Sequence, residues 1–150
     1  SKGNEWIDVK DDGNKYKAIY RWAADFQNDW AAKADWCVKS YDNANHPPQI
    51  KLKSTEDLYI LPNTRVRLVA EGKDPDGDNL SYHWWQYVEP GTYDGKVTIK
   101  NANSKNAYFE APLNSHGKNV HIICEVNDNG SPSLTRYKRL IVNFDKNANR

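Results

Sequence analysis

The sequence lacks several features that would assign it at once to a familiar class of protein. It contains no methionine, even at position 1, so we expect the chain to be cut from a longer protein. Its two cysteines, Cys37 and Cys124, are too few for a disulfide-rich scaffold. Two buried free thiols are favoured over one bridge between them. The formal net charge of +1 offers no broad basic surface for nucleic acid or an anionic membrane.

Long apolar runs are missing as well. No stretch approaches the roughly 18 apolar residues that a membrane span requires. Residues 1–14 are polar and lack the apolar centre of a signal peptide. Neither nucleic acid nor a membrane is therefore expected as a partner. The chain is instead rich in Trp (6) and Tyr (9), whose rings suit both protein cores and wet binding surfaces.

The spacing of apolar side chains predicts one N-terminal amphipathic helix over residues 18–38. This stretch contains no Gly or Pro, and apolar side chains recur every three or four positions. The apolar stripe includes Trp22, Phe26 and Trp30. A lone helix cannot bury such a stripe, so we expect it to pack on the rest of this chain or on a preceding domain.

A proline pair divides the chain into two unequal parts. Pro47 and Pro48 stop any helix and favour extended backbone. We therefore place a domain boundary here, with residues 1–45 as a helical part plus a linker and residues 46–150 as a separate domain.

The second part has the pattern of short β-strands. Runs of alternating apolar and polar residues are separated by turn signals such as Asp-Gly, Asn-Gly and proline. The predicted strands cover residues 49–53, 57–61, 64–71, 80–88, 96–100, 106–111, 119–127 and 134–144. Seven or eight short strands without a helical interval are typical of an all-β sandwich of the immunoglobulin or cadherin-like kind.

Two adjacent tryptophans on the 80–88 strand must face opposite sides of the sheet, because side chains alternate along a strand. Trp84 shares its face with Leu80 and Tyr82, and immunoglobulin-like sandwiches keep a core Trp on the corresponding strand. We therefore expect Trp84 in the core. The expected partner face consists of Val66, Leu68, Cys124 and Val126.

The opposite face carries the candidate ligand-binding residues. His83, Trp85 and Tyr87 point outward, with Tyr93 in the following loop. Flat aromatic rings stack on sugar rings and leave the sugar hydroxyls hydrated. The alternative interpretation is that the helix or a missing domain covers this face, and the sequence favours neither.

A loop of alternating acids is the one candidate metal site. Asp74, Asp76 and Asp78 surround a glycine, and Asp128 belongs to a loop at the same end of such a sandwich. Calcium takes several oxygen ligands from one loop, but an EF-hand would need an acid where Trp85 stands. We favour a turn in which these carboxylates accept backbone N–H groups. No cofactor is expected, and calcium is only a weak candidate.

Catalytic motifs are not found. Nothing in the sequence pairs two carboxylates for glycoside hydrolysis, and there is no nucleophile elbow, phosphate-binding glycine loop or Cys–His nucleophile motif. The expectation is a domain that is not an enzyme and has no catalytic residues.

Three segments together resemble a known family. They are residues 26–36 (FQNDWAAKADW) leading into 44–48 (ANHPP), residues 74–87 (DPDGDNLSYHWWQY) and residues 125–137 (EVNDNGSPSLTRY). They are similar to the C-terminal region of the bacterial cellulose-binding proteins that carry a nucleoside-hydrolase-like N-terminal domain. The resemblance implies that residues 1–45 are the tail of that domain plus its linker. It also implies a secreted, periplasmic or cell-surface setting.

The resemblance also implies a carbohydrate-related function, with no catalytic residue carried over because the aspartate motif of the hydrolase-like domain has no match here. The leading hypothesis is a non-catalytic accessory module that binds cellulose or a related polysaccharide through the outward aromatic residues. The alternative is a structural module that packs on and positions the hydrolase-like domain and has no ligand of its own.

Overall fold

The computed structural model describes Tyr16 and residues 20–54 and 57–145. These residues form helix α1 (Ala23–Trp36), a short 3-10 helix (Tyr41–Asn43) and seven strands. The strands are β1 (Gln49–Leu52), β2 (Asp57–Ile60), β3 (Arg65–Lys73), β4 (Ser81–Tyr87), β5 (Asn106–Glu110), β6 (Asn119–Asn127) and β7 (Thr135–Phe144). No helix in this part of the chain is long and apolar enough to cross a membrane.

The strands form two sheets. One has three strands in the order β1-β3-β5, and the other has four in the order β2-β7-β6-β4. Neighbours are antiparallel except β2 and β7, which run parallel. The predicted immunoglobulin- or cadherin-like sandwich of seven or eight strands, preceded by one helix, is confirmed.

The core lies between the sheets and follows the alternation of the strands. Trp84 is only 2% exposed, and its indole N–H donates to the Ser104 carbonyl at 2.9 Å, so burial leaves no polar atom unsatisfied. The core position predicted for Trp84 is confirmed. The predicted partner face is also fully buried: Val66, Leu68, Cys124 and Val126.

One predicted strand, residues 96–100, does not form. The Gln86 side chain takes the place of a strand partner, because its Oε1 accepts from the Val97 N–H at 2.8 Å and its Nε2 donates to the Gly95 carbonyl at 3.0 Å. Only Lys100 makes a β-bridge, to Tyr108. The segment therefore runs beside β4 as irregular chain held by a side chain, which a period-two pattern does not reveal.

Helix α1 is confirmed in type but is shorter than predicted. Residues 18 and 19 lie outside the described residues, and the helix ends at Trp36 because the next N–H, that of Cys37, bonds back to the Ala34 carbonyl. Two members of the apolar stripe do not pack on the sandwich, so for them the expected packing on a preceding domain stays a prediction. Phe26 is 72% exposed and Trp30 is 70% exposed.

The segment between α1 and β1 is attached to the sandwich. Buried Asn45 donates through Nδ2 to Asp128 at 3.1 Å and to the Pro132 carbonyl at 2.8 Å. The His46 ring stacks between Tyr41 and Trp36, with centroid distances of 3.9 and 5.6 Å. These contacts hold α1 in a defined position relative to the two sheets.

The two cysteines are free thiols with different surroundings. Cys124 is buried in the core, and burial raises the pKa of its thiol to about 12. Cys37 is exposed, so the expectation that both thiols are buried is wrong for it. The reason is that Cys37 follows the last residue of α1, on a part of the helix that the sandwich does not cover.

Candidate functional site

The outer face of the four-stranded sheet carries an ordered set of aromatic and charged side chains. The strand register places His83 of β4 opposite Glu125 of β6, and Glu125 opposite Tyr137 of β7. Trp85 lies one step along β4, opposite Ile123. Because side chains directly opposite each other share a face, these residues form one surface.

The start of α1 docks on this surface. The Trp22 ring meets Tyr137 edge-on at a centroid distance of 4.7 Å and lies 5.7 Å from the Trp85 ring. Asp25 accepts hydrogen bonds from the Tyr137 hydroxyl and, at 2.9 Å, from the Thr135 hydroxyl. The start of the helix is therefore held by the Trp22 ring and the Asp25 carboxylate, and one turn later Asp29 pairs with Arg136 at 3.0 Å.

Arg21 covers a second part of the surface. Its guanidinium carbon lies 5.1 Å from the Trp85 ring centroid and 5.2 Å from that of Tyr87, and its Nη2 pairs with Glu89 at 2.9 Å. Cation–π contacts of this kind are favourable when they are shielded from water. Trp85 and Tyr87 are consequently half-buried and not freely exposed.

A cleft of about 670 Å³ remains between the docked segment and the sheet. Such a volume lies within the range of small-ligand sites. The docked segment lines it with Arg21, Trp22 and Asp25, and the chain after β4 lines it with Lys96, Val97, Ile99 and Ala102. On the outer face of the sheet His83, Trp85, Glu125 and Tyr137 form the floor. The remaining lining residues are Trp84, Gln86, Val88 and Glu89. The docked segment thus covers part of the outward face and leaves a cleft over the rest.

The carboxylates of the cleft differ in their partners. Glu89 pairs with Arg21, and Asp25 already accepts two hydroxyl hydrogen bonds. Burial raises the pKa of Glu125, aided by the nearby Asp25, while a hydrogen bond from the Trp85 indole acts in the opposite direction. Burial and Asp25 likewise raise the pKa of the Tyr137 hydroxyl. Glu125 is therefore a desolvated acceptor at the floor of the cleft, beside an aromatic ring.

The structure places the predicted binding residues in two locations. His83 and Trp85 line the cleft, and Tyr87 lies next to it beneath Arg21. The structure does not bring Tyr93 to this group, because its ring packs on Phe144 at 6.4 Å and its hydroxyl reaches Asn114 at 3.3 Å. Tyr93 belongs to the edge of the core.

Sequence reasoning missed four residues that shape the cleft: Arg21, Trp22, Glu125 and Tyr137. A signal existed for two of them. Glu125 and Tyr137 occupy the outward positions of two strands whose inward residues were assigned correctly. The contribution of Arg21 and Trp22 depends on where the helix docks, which no local pattern shows.

The acidic loop is organised as a turn. Asp74 accepts from the backbone N–H groups of Asp76 and Asp78 at 2.9 and 3.1 Å, and Asp76 accepts from the His46 N–H at 2.6 Å. Asp128 accepts from the Leu134 N–H at 2.8 Å. Among the described residues no group of His, Cys, Asp or Glu is arranged to hold a metal ion. This hydrogen bonding favours the turn interpretation of the loop.

Comparison with known proteins agrees with the family that the sequence resembles. The model of a family described as the C-terminal domain of cellulose-binding protein Sde0182 matches residues 65–144. A solved nucleoside hydrolase-related protein from Saccharophagus degradans, described as associated with carbohydrate metabolism, is 37% identical with a TM-score of 0.81. The match covers 84% of this chain and 32% of that protein, so the chain spans about a third of its length. No curated protein matches the sequence significantly.

Weaker similarity extends to other sandwich domains. The PKD domain from KIAA 1837 protein is 20% identical with a TM-score of 0.46, over 72% of this chain and 98% of that one. Mouse cadherin-23 repeats EC22–24 are 18% identical with a TM-score of 0.45, over 67% of this chain and 33% of that one.

Proposed function

This chain belongs to the family of the C-terminal domain of cellulose-binding protein Sde0182, and from that premise we propose that it binds cellulose or a related polysaccharide. It is a non-catalytic module, and the polysaccharide is released unchanged. The observation that carries the proposal is the half-buried Trp85 ring on the floor of the cleft, on the same face of the sheet as the half-buried carboxylate of Glu125.

The two groups suit the two kinds of surface that a sugar ring presents. An aromatic ring offers apolar contact to the C–H groups on a sugar face. A carboxylate in a water-poor site accepts strong hydrogen bonds from hydroxyl groups. Because the paired strands β4 and β6 carry the Trp85 ring and the Glu125 carboxylate on one face, the sheet holds the two groups at a fixed relative position before a ligand arrives.

The same proposal implies where the module acts and whether binding needs a cofactor. Polysaccharides such as cellulose lie outside the cell, so the module acts after secretion, in the periplasm or at the cell surface. Its binding groups are an indole, an imidazole and carboxylates, which bind hydroxyl-rich ligands directly. Binding is therefore proposed to need no cofactor.

Affinity electrophoresis on a panel of soluble and insoluble polysaccharides tests the proposal. Trp85→Ala should lower affinity by about tenfold or more, because losing about 1.4 kcal/mol of contact energy corresponds to a factor of ten. Trp30→Ala is the matched control, since Trp30 is 70% exposed on α1 outside the cleft. Retention that is equal in both variants would place the binding site elsewhere.

A second candidate function is supported by the outer side of α1. Phe26 and Trp30 stand one helical turn apart and are 72% and 70% exposed. Exposed aromatic pairs of this kind mark contact surfaces. We propose as the alternative that this surface packs on the hydrolase-like domain of a longer protein and positions it, as the match to only 32% of the Saccharophagus protein suggests.

One pair of variants separates the two candidates in a full-length protein. Trp30→Ala should loosen the contact with the preceding domain and leave glycan retention intact, whereas Trp85→Ala should do the reverse. Limited proteolysis between the domains measures the first effect, and electrophoresis in glycan measures the second. Loss of glycan retention by Trp30→Ala alone would contradict this assignment of the two surfaces.

A further inference from the structure

The aromatic rings around the cleft do not share a plane. The ring of Trp22 is tilted 39° from that of Trp85 and stands at 88° to that of Tyr137. The ring of Tyr87 is at 63° to that of Trp85. The rings therefore do not form a flat platform.

This arrangement discriminates between physical forms of the same polysaccharide. A crystalline face presents many sugar rings in one plane, and several coplanar, exposed rings are needed to lie on it. A single chain presents its edges and both faces, so it can enter between two walls. Here the Trp85 ring is half-buried beneath Arg21 and Trp22, and Lys96, Val97, Ile99 and Ala102 also line the cleft.

The charges of the cleft restrict the ligand further. Three carboxylates line it, those of Asp25, Glu89 and Glu125, against two cations, Arg21 and Lys96. The Arg21 guanidinium is already paired with Glu89. An acidic sugar placed beside Glu125 would bring a second negative charge into a partly desolvated site, which is unfavourable. Neutral sugars with many hydroxyl groups carry no negative charge and are not repelled in this way.

We propose that the cleft binds a single soluble chain of neutral sugar units and does not bind crystalline surfaces. This inference rests on the proposed function and specifies the ligand of the same site. The wall formed by Trp22 is what makes the site a cleft, so this residue determines the preference for an isolated chain.

Competition between two forms of one glycan tests the inference without any variant. The protein is mixed with crystalline cellulose, with swollen amorphous cellulose and with soluble cello-oligosaccharides, and binding to the soluble chains is measured by calorimetry. The expected result is binding to the soluble chains, which also release the protein from amorphous cellulose, and little retention on crystals. Soluble uronic-acid oligosaccharides should bind at least about tenfold more weakly.

A matched pair of variants tests the role of the wall. Trp22→Ala should lower the affinity for soluble chains at least about tenfold, and Trp30→Ala, the same change on the exposed side of α1, should not. A thermal melt of each variant identifies any loss that comes from unfolding. His83→Ala, which changes an exposed residue of the cleft floor, gives a second variant that disturbs little packing.

The outcomes separate this inference from the proposed function. Retention on crystalline cellulose that soluble chains cannot compete away would overturn the single-chain inference and leave polysaccharide binding in place. Equal loss for Trp22→Ala and Trp30→Ala in folded proteins would also overturn it. Failure to bind any form of any glycan on the panel would overturn the proposed function, and this inference with it.

Discussion

The two faces of the four-stranded sheet use the same strands for different purposes. The inner face is apolar and closed, with Trp84 only 2% exposed and Val126 and Leu140 at 0% and 1%. The outer face carries His83, Trp85, Glu125 and Tyr137, and it is only partly covered by the start of α1. Trp84 and Trp85 are neighbours in the chain, yet Trp84 is part of the core and Trp85 is part of the candidate binding site.

Different forces stabilise the two faces. The inner face is held by the removal of apolar surface from water, which needs no particular partner beyond close packing. The outer face is held by a few directional contacts, such as the bonds from Tyr137 and Thr135 to Asp25. A face of the second kind can leave a cleft open, because its stability does not require complete coverage.

The largest expected effect lies on the inner face. Trp84→Ala removes a fully enclosed indole and its bond to Ser104, and it should cost about 3–5 kcal/mol, the usual range for large-to-small core changes. Trp85→Ala should cost much less, because its ring is half-buried beside a cleft. Urea unfolding of both variants measures the difference. Equal losses of stability in the two variants would contradict the assignment of Trp84 to the core and Trp85 to the half-buried outer face.

A smaller effect is expected where the helix meets the outer face. Tyr137→Phe keeps the ring against Trp22 but removes the hydroxyl that donates to Asp25. Hydrogen bonds to charged groups contribute about 1.5–3 kcal/mol, so the free energy of unfolding should fall by about that amount. Tyr59→Phe is the control, because Tyr59 is 45% exposed on β2. A cost for Tyr137→Phe no larger than that of the control would mean that Asp25 does not anchor the helix.

The inner face could be predicted from the sequence because its signal is local. Apolar residues at every second position of β4 and β6 locate Trp84 and Cys124 in the core without reference to the rest of the fold. The same alternation placed Trp85 outward. Residues 96–100 were predicted as a strand by the same alternation, but they form none because the Gln86 side chain replaces the backbone partner there.

The cleft could be predicted only in part because its walls come from distant segments. Trp22 and Tyr137 are more than 100 positions apart, and their contact depends on the docking of α1. The apolar stripe correctly indicated a helix with something to pack against. It did not show that Trp22 would pack while Phe26 and Trp30 remained exposed, because that depends on the linker contacts of Asn45 with Asp128.

The smallest expected effect is a pH dependence that distinguishes two carboxylates. Burial raises the pKa of Glu125 above its ordinary value of 4.5, so the folded state holds this proton more tightly than the unfolded state. The contribution of Glu125 to stability is therefore fully present below about pH 4.5 and is lost as the pH rises through the raised pKa. Glu125→Gln should remove this dependence, and relative to the wild type it should become more stable as the pH rises.

Glu71, on the other sheet, supplies the opposite case. Lys53 holds the pKa of this exposed carboxyl below its ordinary value of 4.5, so its small contribution to stability is present above that pH and is lost as the pH falls through the lowered pKa. The stability difference between Glu71→Gln and the wild type should thus change with pH in the opposite direction to that of Glu125→Gln. Urea unfolding of the wild type and both variants between about pH 3 and pH 7, a window that spans the ordinary carboxylate range, measures the two slopes. Slopes of the same sign would show that Glu125 is not desolvated, and the cleft floor would then lack the water-poor acceptor on which sugar binding is proposed to depend.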